Sequence, residues 1–198
     1  MTPQPSMDVA ALERDKYRRM WADPSYHQGS PGERAVPLCL HALPMQPGET
    51  VVDAGAGSGR AAVLLEKAGL TVTLLDFCHD AVEPPAQHLP YIDALLWDLP
   101  PLQFDWVYCV DVLEHIPPQY VEAVLDGLAR TATKGMFLQI CCVEDNCGAV
   151  IGETLHLTVH PPVWWKPLIE ARWPILKDWS QGCYAIYTTG PAYQRSAP

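Results

Sequence analysis

The sequence predicts an α/β protein with a doubly wound, mostly parallel sheet. Between residues 50 and 142, short runs rich in β-branched and other apolar residues alternate with stretches of helical periodicity, which is the pattern of parallel strands joined by crossover helices. Residues 175–180 and 183–189 then form a predicted antiparallel pair that turns at Gln181 and Gly182. We therefore expect a parallel core that ends in a closing antiparallel hairpin.

The predicted architecture divides the chain into three parts within one domain. A length of 198 residues suits a single domain. Segments 8–21 and 34–43 have the apolar spacing of helices and precede the first strand, so we expect residues 1–48 to form a helical lid over the carboxyl edge of the sheet. Residues 49–190 are the predicted core, and residues 191–198 are a polar, proline-containing tail.

Composition and charge exclude several functional classes. The 48% of hydrophobic residues and the mean hydropathy of −0.02 indicate a globular protein, and no apolar run approaches the roughly 18 residues of a membrane span. Seven cysteines, an odd number, and the lack of a secretion signal favour reduced thiols in the cytoplasm. The net charge of −10 argues against a long duplex nucleic acid as partner, because phosphate contacts need clustered cations.

The most informative motif is a strand and a glycine turn at residues 50–60. Thr50 to Val52 are β-branched and predict a buried strand, and Asp53 follows with glycines at every second position. Gly55 and Gly57 allow a tight turn whose N–H groups approach a bulky polar ligand at the carboxyl end of the strand. The sixth position of a dinucleotide-binding turn is glycine, whereas this chain has Arg60 there, which disfavours an NAD-type oxidoreductase.

Aspartates end the next two predicted strands. Asp76 follows residues 71–75, where its carboxylate can accept hydrogen bonds from a ribose diol. Asp98 follows a third predicted strand at residues 93–97, and the fourth predicted strand occupies residues 104–116. Each aspartate alone is also explained as a turn residue, but together they indicate a nucleoside-binding edge.

The order of these motifs resembles the class I S-adenosyl-L-methionine (SAM)-dependent methyltransferases, in particular their small-molecule members. The aromatic N-terminal segment, D-V-L-E-H-I-P-P and L-H-L-T-V-H-x-x-x-W-W at residues 155–165 also resemble small methyltransferases carried by bacteriophages. The matching features are the D-x-G-x-G-x-G turn at residues 53–59, the two aspartates and the D-V-L-E-H-I string at residues 111–116. The resemblance implies a seven-stranded sheet, SAM as cofactor, S-adenosyl-L-homocysteine (SAH) as product, and an Asp98 that meets the adenine amino group beside an apolar Leu99. The implied cofactor-binding residues are Asp53, Gly55, Ala56, Gly57, Asp76, Phe77, Asp98, Leu99 and Asp111.

Candidate catalytic residues follow the fourth strand. A sulfonium methyl is already activated, so the protein mainly aligns the acceptor and excludes water, and a base helps where the acceptor carries a proton. His115 is a candidate base that Asp111 or Glu114 would orient. The alternative is structural: Glu114 caps the following helix, and His115 only bonds a loop carbonyl.

A second histidine group lies past the fifth strand, in residues 152–162. The resemblance implies an acceptor pocket in this loop, and His156 is the candidate acceptor contact or base. A zinc site built from nearby cysteines and histidines lacks paired C-x₂-C spacing, and adjacent cysteines point to opposite strand faces. We therefore predict no bound metal. The residues weighed for that site are Cys141, Cys142, Cys147, His156 and His160.

Aromatic side chains from the lid and a late helix are candidates for acceptor binding by stacking. Together with His156, the predicted acceptor contacts are Tyr17, Trp21, Tyr26 and Trp164. Simple packing of the lid onto the sheet explains the same aromatics equally well.

The acceptor class is inferred from absences. The N-P-P-Y motif of amino-group DNA methyltransferases and the Pro-Cys pair of cytosine-C5 enzymes are missing, since the corresponding strand end reads V-D-V-L. We expect a methyltransferase that acts on a small molecule, as a monomer or homodimer. The alternatives are methylation of a nucleotide or modified nucleobase, and a non-catalytic SAM-binding regulatory protein.

Overall fold

A seven-stranded mixed sheet forms the centre of the protein. The structure, a computed structural model, describes residues 8–193. The strand order is β3-β2-β1-β4-β5-β7-β6; β1 to β5 run parallel, and β7 runs antiparallel to both β5 and β6. The predicted fold is confirmed, including the closing hairpin. The strands are β1 (Thr50–Ala54), β2 (Thr71–Asp76), β3 (Tyr91–Asp93), β4 (Phe104–Val110), β5 (Ala132–Cys141), β6 (Ile175–Asp178) and β7 (Tyr184–Thr189).

Within residues 8–193, five α-helices accompany the sheet. Polar residues begin the first two: Asp8 accepts a hydrogen bond from the Ala10 N–H, and Ser30 accepts one from the Glu33 N–H, which satisfies free N–H groups of the first turn. The helices are α1 (Val9–Trp21), α2 (Pro31–Ala42), α3 (Arg60–Lys67), α4 (Val121–Thr131) and α5 (Pro162–Glu170). No helix in the described range is long and apolar enough to cross a membrane.

Two hydrophobic clusters cover the two faces of the sheet. Val51 and Val52 are consecutive and fully buried, one in each cluster, because successive strand residues point to opposite faces. Leu125 of α4 and Trp165 of α5 belong to the cluster of Val52, whereas Leu65 of α3 belongs to that of Val51. Burial on both faces explains why the strands are continuous apolar runs.

The two N-terminal helices have different positions. Ala35, Val36 and Cys39 of α2 are buried in the same cluster as α3, so α2 packs as part of the core. Helix α1 instead lies at the carboxyl edge, where it contacts the chain after β2 and the loop after β5. We call α1 the lid from here on. The predicted boundary at residue 48 stays a prediction, and residues 194–198 of the predicted tail lie outside the described residues.

Two predicted strand bounds were wrong. The third strand is Tyr91–Asp93 rather than 93–97, and Leu96–Asp98 form a 3₁₀ turn, because the chain leaves this sheet edge and buries Leu96 in the core. The fourth strand ends at Val110 and not at residue 116. Asp111 has a left-handed φ of 53°, which turns the chain away from the sheet.

Candidate active site

The glycine turn after β1 is closed by backbone hydrogen bonds and packed against side chains. Gly55 N donates to the Leu75 carbonyl over 2.8 Å, and Gly57 has a left-handed φ of 49°. A Cβ atom on Gly57 would lie 2.7 Å from Cζ2 of Trp21, and one on Gly55 would collide with Val112. Protein contacts thus favour glycine at both positions: Trp21 of the lid covers the Cβ side of Gly57, and both glycines also line the cavities described below.

Asp76 connects the glycine turn to the end of β2. Its Oδ2 accepts a hydrogen bond from Gly57 N and its Oδ1 accepts one from Cys78 N, each over 2.9 Å. Burial raises the pKa of Asp76, while the backbone N–H donors oppose that shift. Each carboxylate oxygen keeps a further lone pair, so Asp76 both fixes the turn and faces the adjacent cavity.

Asp53, at the end of β1, is a buried acid with a free oxygen. It is 4% exposed, and its Oδ2 has no hydrogen-bond partner among residues 8–193. Desolvation, and next the charge of Asp76, raise the pKa of Asp53 to about 7. A cationic ligand next to Asp53 would stabilise the charged carboxylate that burial disfavours.

Asp111 begins the turn after β4. Gln139 Nε2 donates to Asp111 Oδ1 over 2.9 Å, and Asp111 N donates to the Gln139 carbonyl over 2.9 Å. Burial raises the pKa of Asp111, and the Gln139 hydrogen bond partly offsets this. These two bonds to β5 hold a backbone conformation that non-glycine residues seldom adopt.

His115 is held between the lid and the loop after β5. Its Nδ1 lies 2.6 Å from the Tyr17 hydroxyl oxygen, and the ring also forms a hydrogen bond with the backbone of Leu155. Desolvation, and next the neighbouring His156, lower the pKa of His115 to about 3. A neutral ring with these partners is a weak base, and the geometry fits the structural alternative in which His115 anchors loops.

His156 lies beside His115 and, like it, is half-buried. Its Nδ1 lies 2.6 Å from the Val143 carbonyl oxygen, and its ring meets that of His115 edge-on, with centroids 4.6 Å apart. His156 lines a cavity. In the same loop, Glu153 Oε1 accepts a hydrogen bond from Arg19 of the lid over 2.5 Å.

Two adjoining cavities lie at this edge of the sheet. The first, of about 100 Å³, is lined by Asp76, Phe77 and Trp97, among others. The second, of about 380 Å³, is lined by Asp53, His156 and others. The two cavities share Trp21, Tyr26, Gly55, Gly57, Asp111 and His115.

The structure brings most, but not all, of the predicted site residues to these cavities. Asp98 is exposed on the 3₁₀ turn after β3, and Leu99 packs on Gly127 of α4, so their position does not support contact with the cofactor. Trp164 stacks on His160, with ring centroids 4.0 Å apart, and lines neither cavity. Glu114 does not cap a helix; its Oε1 accepts a hydrogen bond from Cys141 N.

Sequence reasoning missed several lining residues. Trp97 was placed within a strand, and its position after the end of β3 brings it to the first cavity. Arg34 and Asp145 line the second cavity. Arg34 lies in α2, before the glycine turn in the sequence, and Asp145 lies in the loop after β5. Their separation in sequence is too large for a spacing rule to group them.

Comparisons with known proteins show the family and the fold of this chain. A family model described as a methyltransferase domain matches residues 28–174. The chain belongs to the methyltransferase domain family. It is 32% identical over 108 residues to the uncharacterized methyltransferase sll0829 of Synechocystis sp., a match that covers 52% of this chain and 51% of that protein. The chain thus spans about half the length of the curated relative that it matches.

Solved structures share the fold across nearly the whole chain. The magnesium protoporphyrin IX methyltransferase of Synechocystis with bound SAM superposes with a TM-score of 0.69 at 20% identity, covering 96% of this chain and 100% of that one. The 1,6-didemethyltoxoflavin-N1-methyltransferase of Burkholderia thailandensis, with its substrate and SAH, gives 0.67 at 18% identity, covering 96% and 92%. These likenesses confirm the fold of the methyltransferase domain.

Proposed function

We propose that this protein transfers a methyl group from SAM to a small-molecule acceptor. The observation that carries the proposal is the pair of adjoining cavities that share one wall. The first cavity is lined by Asp76 and Phe77, which are the candidate contacts for the nucleoside part of a cofactor. The second cavity is lined by His156, and Asp111 and His115 line both. Such an arrangement suits two ligands whose reacting ends meet at the shared residues.

The residues of the first cavity fit SAM in shape and charge. Phe77, Leu96 and Trp97 provide apolar surface for an adenine ring, and Asp76 provides carboxylate lone pairs for ribose hydroxyls. Asp53 lines the adjoining second cavity, where its free Oδ2 offers a negative charge to the cationic part of a ligand that extends past the shared wall. SAM supplies the activated methyl group. This fit supports SAM as the cofactor, in agreement with the structural relative that binds it.

The second cavity is the proposed acceptor site. Its volume of about 380 Å³ suits a small organic molecule, and Tyr26, Tyr108 and Trp21 offer aromatic surface. The names of the two structural relatives give magnesium protoporphyrin IX and 1,6-didemethyltoxoflavin as their substrates. Both are small molecules rather than macromolecules, which supports a small-molecule acceptor here. His156 is the side chain that we expect to meet the acceptor. Tyr17 lines the first cavity and not the second, and its hydrogen bond with His115 holds the lid at the wall that the cavities share.

The test is acceptor-dependent release of SAH. The full chain would be incubated with SAM and pools of small planar acceptors, with nucleotides and modified nucleobases as separate pools. We expect SAH release with at least one small-molecule pool and none without acceptor. Release with nucleotides alone would favour the nucleotide alternative, and stoichiometric SAM binding without release in any pool would favour the regulatory alternative. Cytoplasmic location, a phage origin and a monomeric or homodimeric state stay predictions.

A further inference from the structure

Three potential metal ligands from different parts of the chain lie close together, and one of them, His156, lines the acceptor cavity. Glu114 lies in the turn after β4, Cys141 ends β5, and His156 lies in the loop that follows. One ligand atom from each side chain lies within 4.8 Å of the other two. A sulfur, a nitrogen and an oxygen donor are therefore already close together.

The carboxyl group of Glu114 has an unused oxygen in a fully buried position. The residue is 0% exposed; Oε1 accepts a hydrogen bond from Cys141 N over 3.0 Å, and Oε2 has no partner among the described residues. Burying a carboxylate is costly unless a cation or a hydrogen-bond donor compensates it. A cation at Oε2 would compensate this burial, and no side chain among residues 8–193 forms a hydrogen bond with that oxygen.

His156 is oriented in the way that metal-binding histidines commonly are. Its Nδ1 lies 2.6 Å from the Val143 carbonyl oxygen, so Nδ1 carries the proton and Nε2 keeps its lone pair. Metal-bound histidines typically donate the other ring N–H to a carbonyl or carboxylate. The backbone N–H groups of Leu157 and Thr158 donate to the Glu114 carbonyl over 2.7 and 2.9 Å, which ties this loop to the buried acid.

We propose that Glu114, Cys141 and His156 bind one divalent transition-metal ion, with zinc the best match. Zinc accepts thiolate, imidazole and carboxylate ligands at about 2.0–2.3 Å, which places its ligand atoms roughly 3.5 Å apart in a tetrahedron. The three atoms, which lie within 4.8 Å of one another, would move closer together when the ion binds. Three protein ligands leave a fourth position. Because His156 lines the acceptor cavity, that position is open to a water molecule or an acceptor heteroatom.

The proposed site differs from the cysteine–histidine zinc site that we considered from the sequence and argued against because of its spacing. Spacing rules compare residues close in sequence, whereas this group takes Glu114 from the turn after β4. Only one of the adjacent Cys141 and Cys142 takes part. If the site binds metal, His156 Nε2 is a ligand and does not act as a free base. Metal binding does not require the methyltransferase proposal to hold.

The test uses cobalt as a spectroscopic substitute for zinc. The full chain, prepared without a polyhistidine tag, reduced and freed of metal with a chelator, would be titrated with Co²⁺ alone and then with Zn²⁺. We expect one Co²⁺ per chain with a thiolate-to-cobalt charge-transfer band, and loss of the band on Zn²⁺ addition. C141S should lose the band, and H156Q should lose stoichiometric binding. The neighbours C142S and H160Q are matched controls that should bind as the wild type does.

Other results would overturn the proposal. The proposal is wrong if folded wild-type protein shows no charge-transfer band with Co²⁺. It is also wrong if C142S loses the band while C141S keeps it. E114Q tests the buried acid; should it fail to fold by circular dichroism, C141S and H156Q still decide. Calorimetric titration of SAM into the metal-free and zinc-treated protein distinguishes failure of the metal site from failure of the proposed function. Protein that binds SAM but no metal would contradict the metal site alone.

Discussion

The cofactor half and the acceptor half of the site are built differently. In the cofactor half, Asp76 and Gly57 are joined by a hydrogen bond across 19 residues of sequence, between the ends of neighbouring parallel strands. The acceptor half depends on contacts that the lid makes with the neighbouring loops: Tyr17, which itself lines the first cavity, meets His115 across 98 residues, and Arg19 meets Glu153 across 134. The cofactor half is formed by the ends of neighbouring strands. The acceptor half forms where α1 and the loop after β5 pack on the sheet.

The difference explains what could be predicted from the sequence. The glycine turn and Asp76 follow from strand ends and turn chemistry, and the hairpin of β6 and β7 follows from its alternation and its Gln181–Gly182 turn. The position of Asp98 relative to the end of β3 could not be predicted, because an edge strand of three residues has too short a sequence pattern to define where it ends. The grouping of Glu114 with Cys141 and His156 depends on tertiary packing and carries no spacing signal.

The largest expected effect comes from crowding the glycine turn. Gly57→Val places a side chain where Trp21 lies 2.7 Å from the Cβ position, on a backbone with φ of 49°. We expect loss of detectable SAM binding, measured by calorimetry. Gly48→Val is the matched control, since its φ is also positive at 86° but nothing lies within 4 Å; it should lose about 1–2 kcal/mol of stability from backbone strain and bind SAM normally. Equal affinity in the two variants would contradict this account of the turn.

Asp53 should make stability depend on pH. Its pKa is about 7 in the folded protein and about 3.9 in an unfolded chain, so the folded state holds the proton longer and stability falls as pH rises from about 4 to about 7. Asp53→Asn removes this dependence. From pH 5 to pH 8, its unfolding free energy should rise relative to wild type by on the order of 1–4 kcal/mol, measured by urea titration. Parallel pH curves would show that Asp53 is not the group responsible.

Asp76 tests the cofactor half directly. Asp76→Ala removes the acceptor of two backbone N–H groups and the proposed ribose contact, so SAM affinity should fall by about 1–3 kcal/mol. Asp93→Ala is the control, because Asp93 ends the adjacent strand but is exposed and paired with Arg14. An unchanged SAM affinity in Asp76→Ala would remove Asp76 from the site.

The smallest effect should come from the lid. Tyr17→Phe removes the hydroxyl that bonds His115 Nδ1, and we expect a loss of about 1 kcal/mol in unfolding free energy together with faster proteolysis within α1. Arg19→Ala, which breaks an exposed ion pair with Glu153, should change stability less than Tyr17→Phe does, because solvent screens exposed charges. If Arg19→Ala destabilised the protein more than Tyr17→Phe, the lid would depend on its surface charges and not on His115.

The most direct test of the account is calorimetric titration of the purified full chain with SAM and SAH, with NAD as the control. We predict saturable binding of one SAM or SAH per chain and no binding of NAD, because Arg60 replaces the third glycine of a dinucleotide turn. Binding of NAD, or the absence of binding by both sulfur ligands, would contradict the assignment of this cavity to SAM.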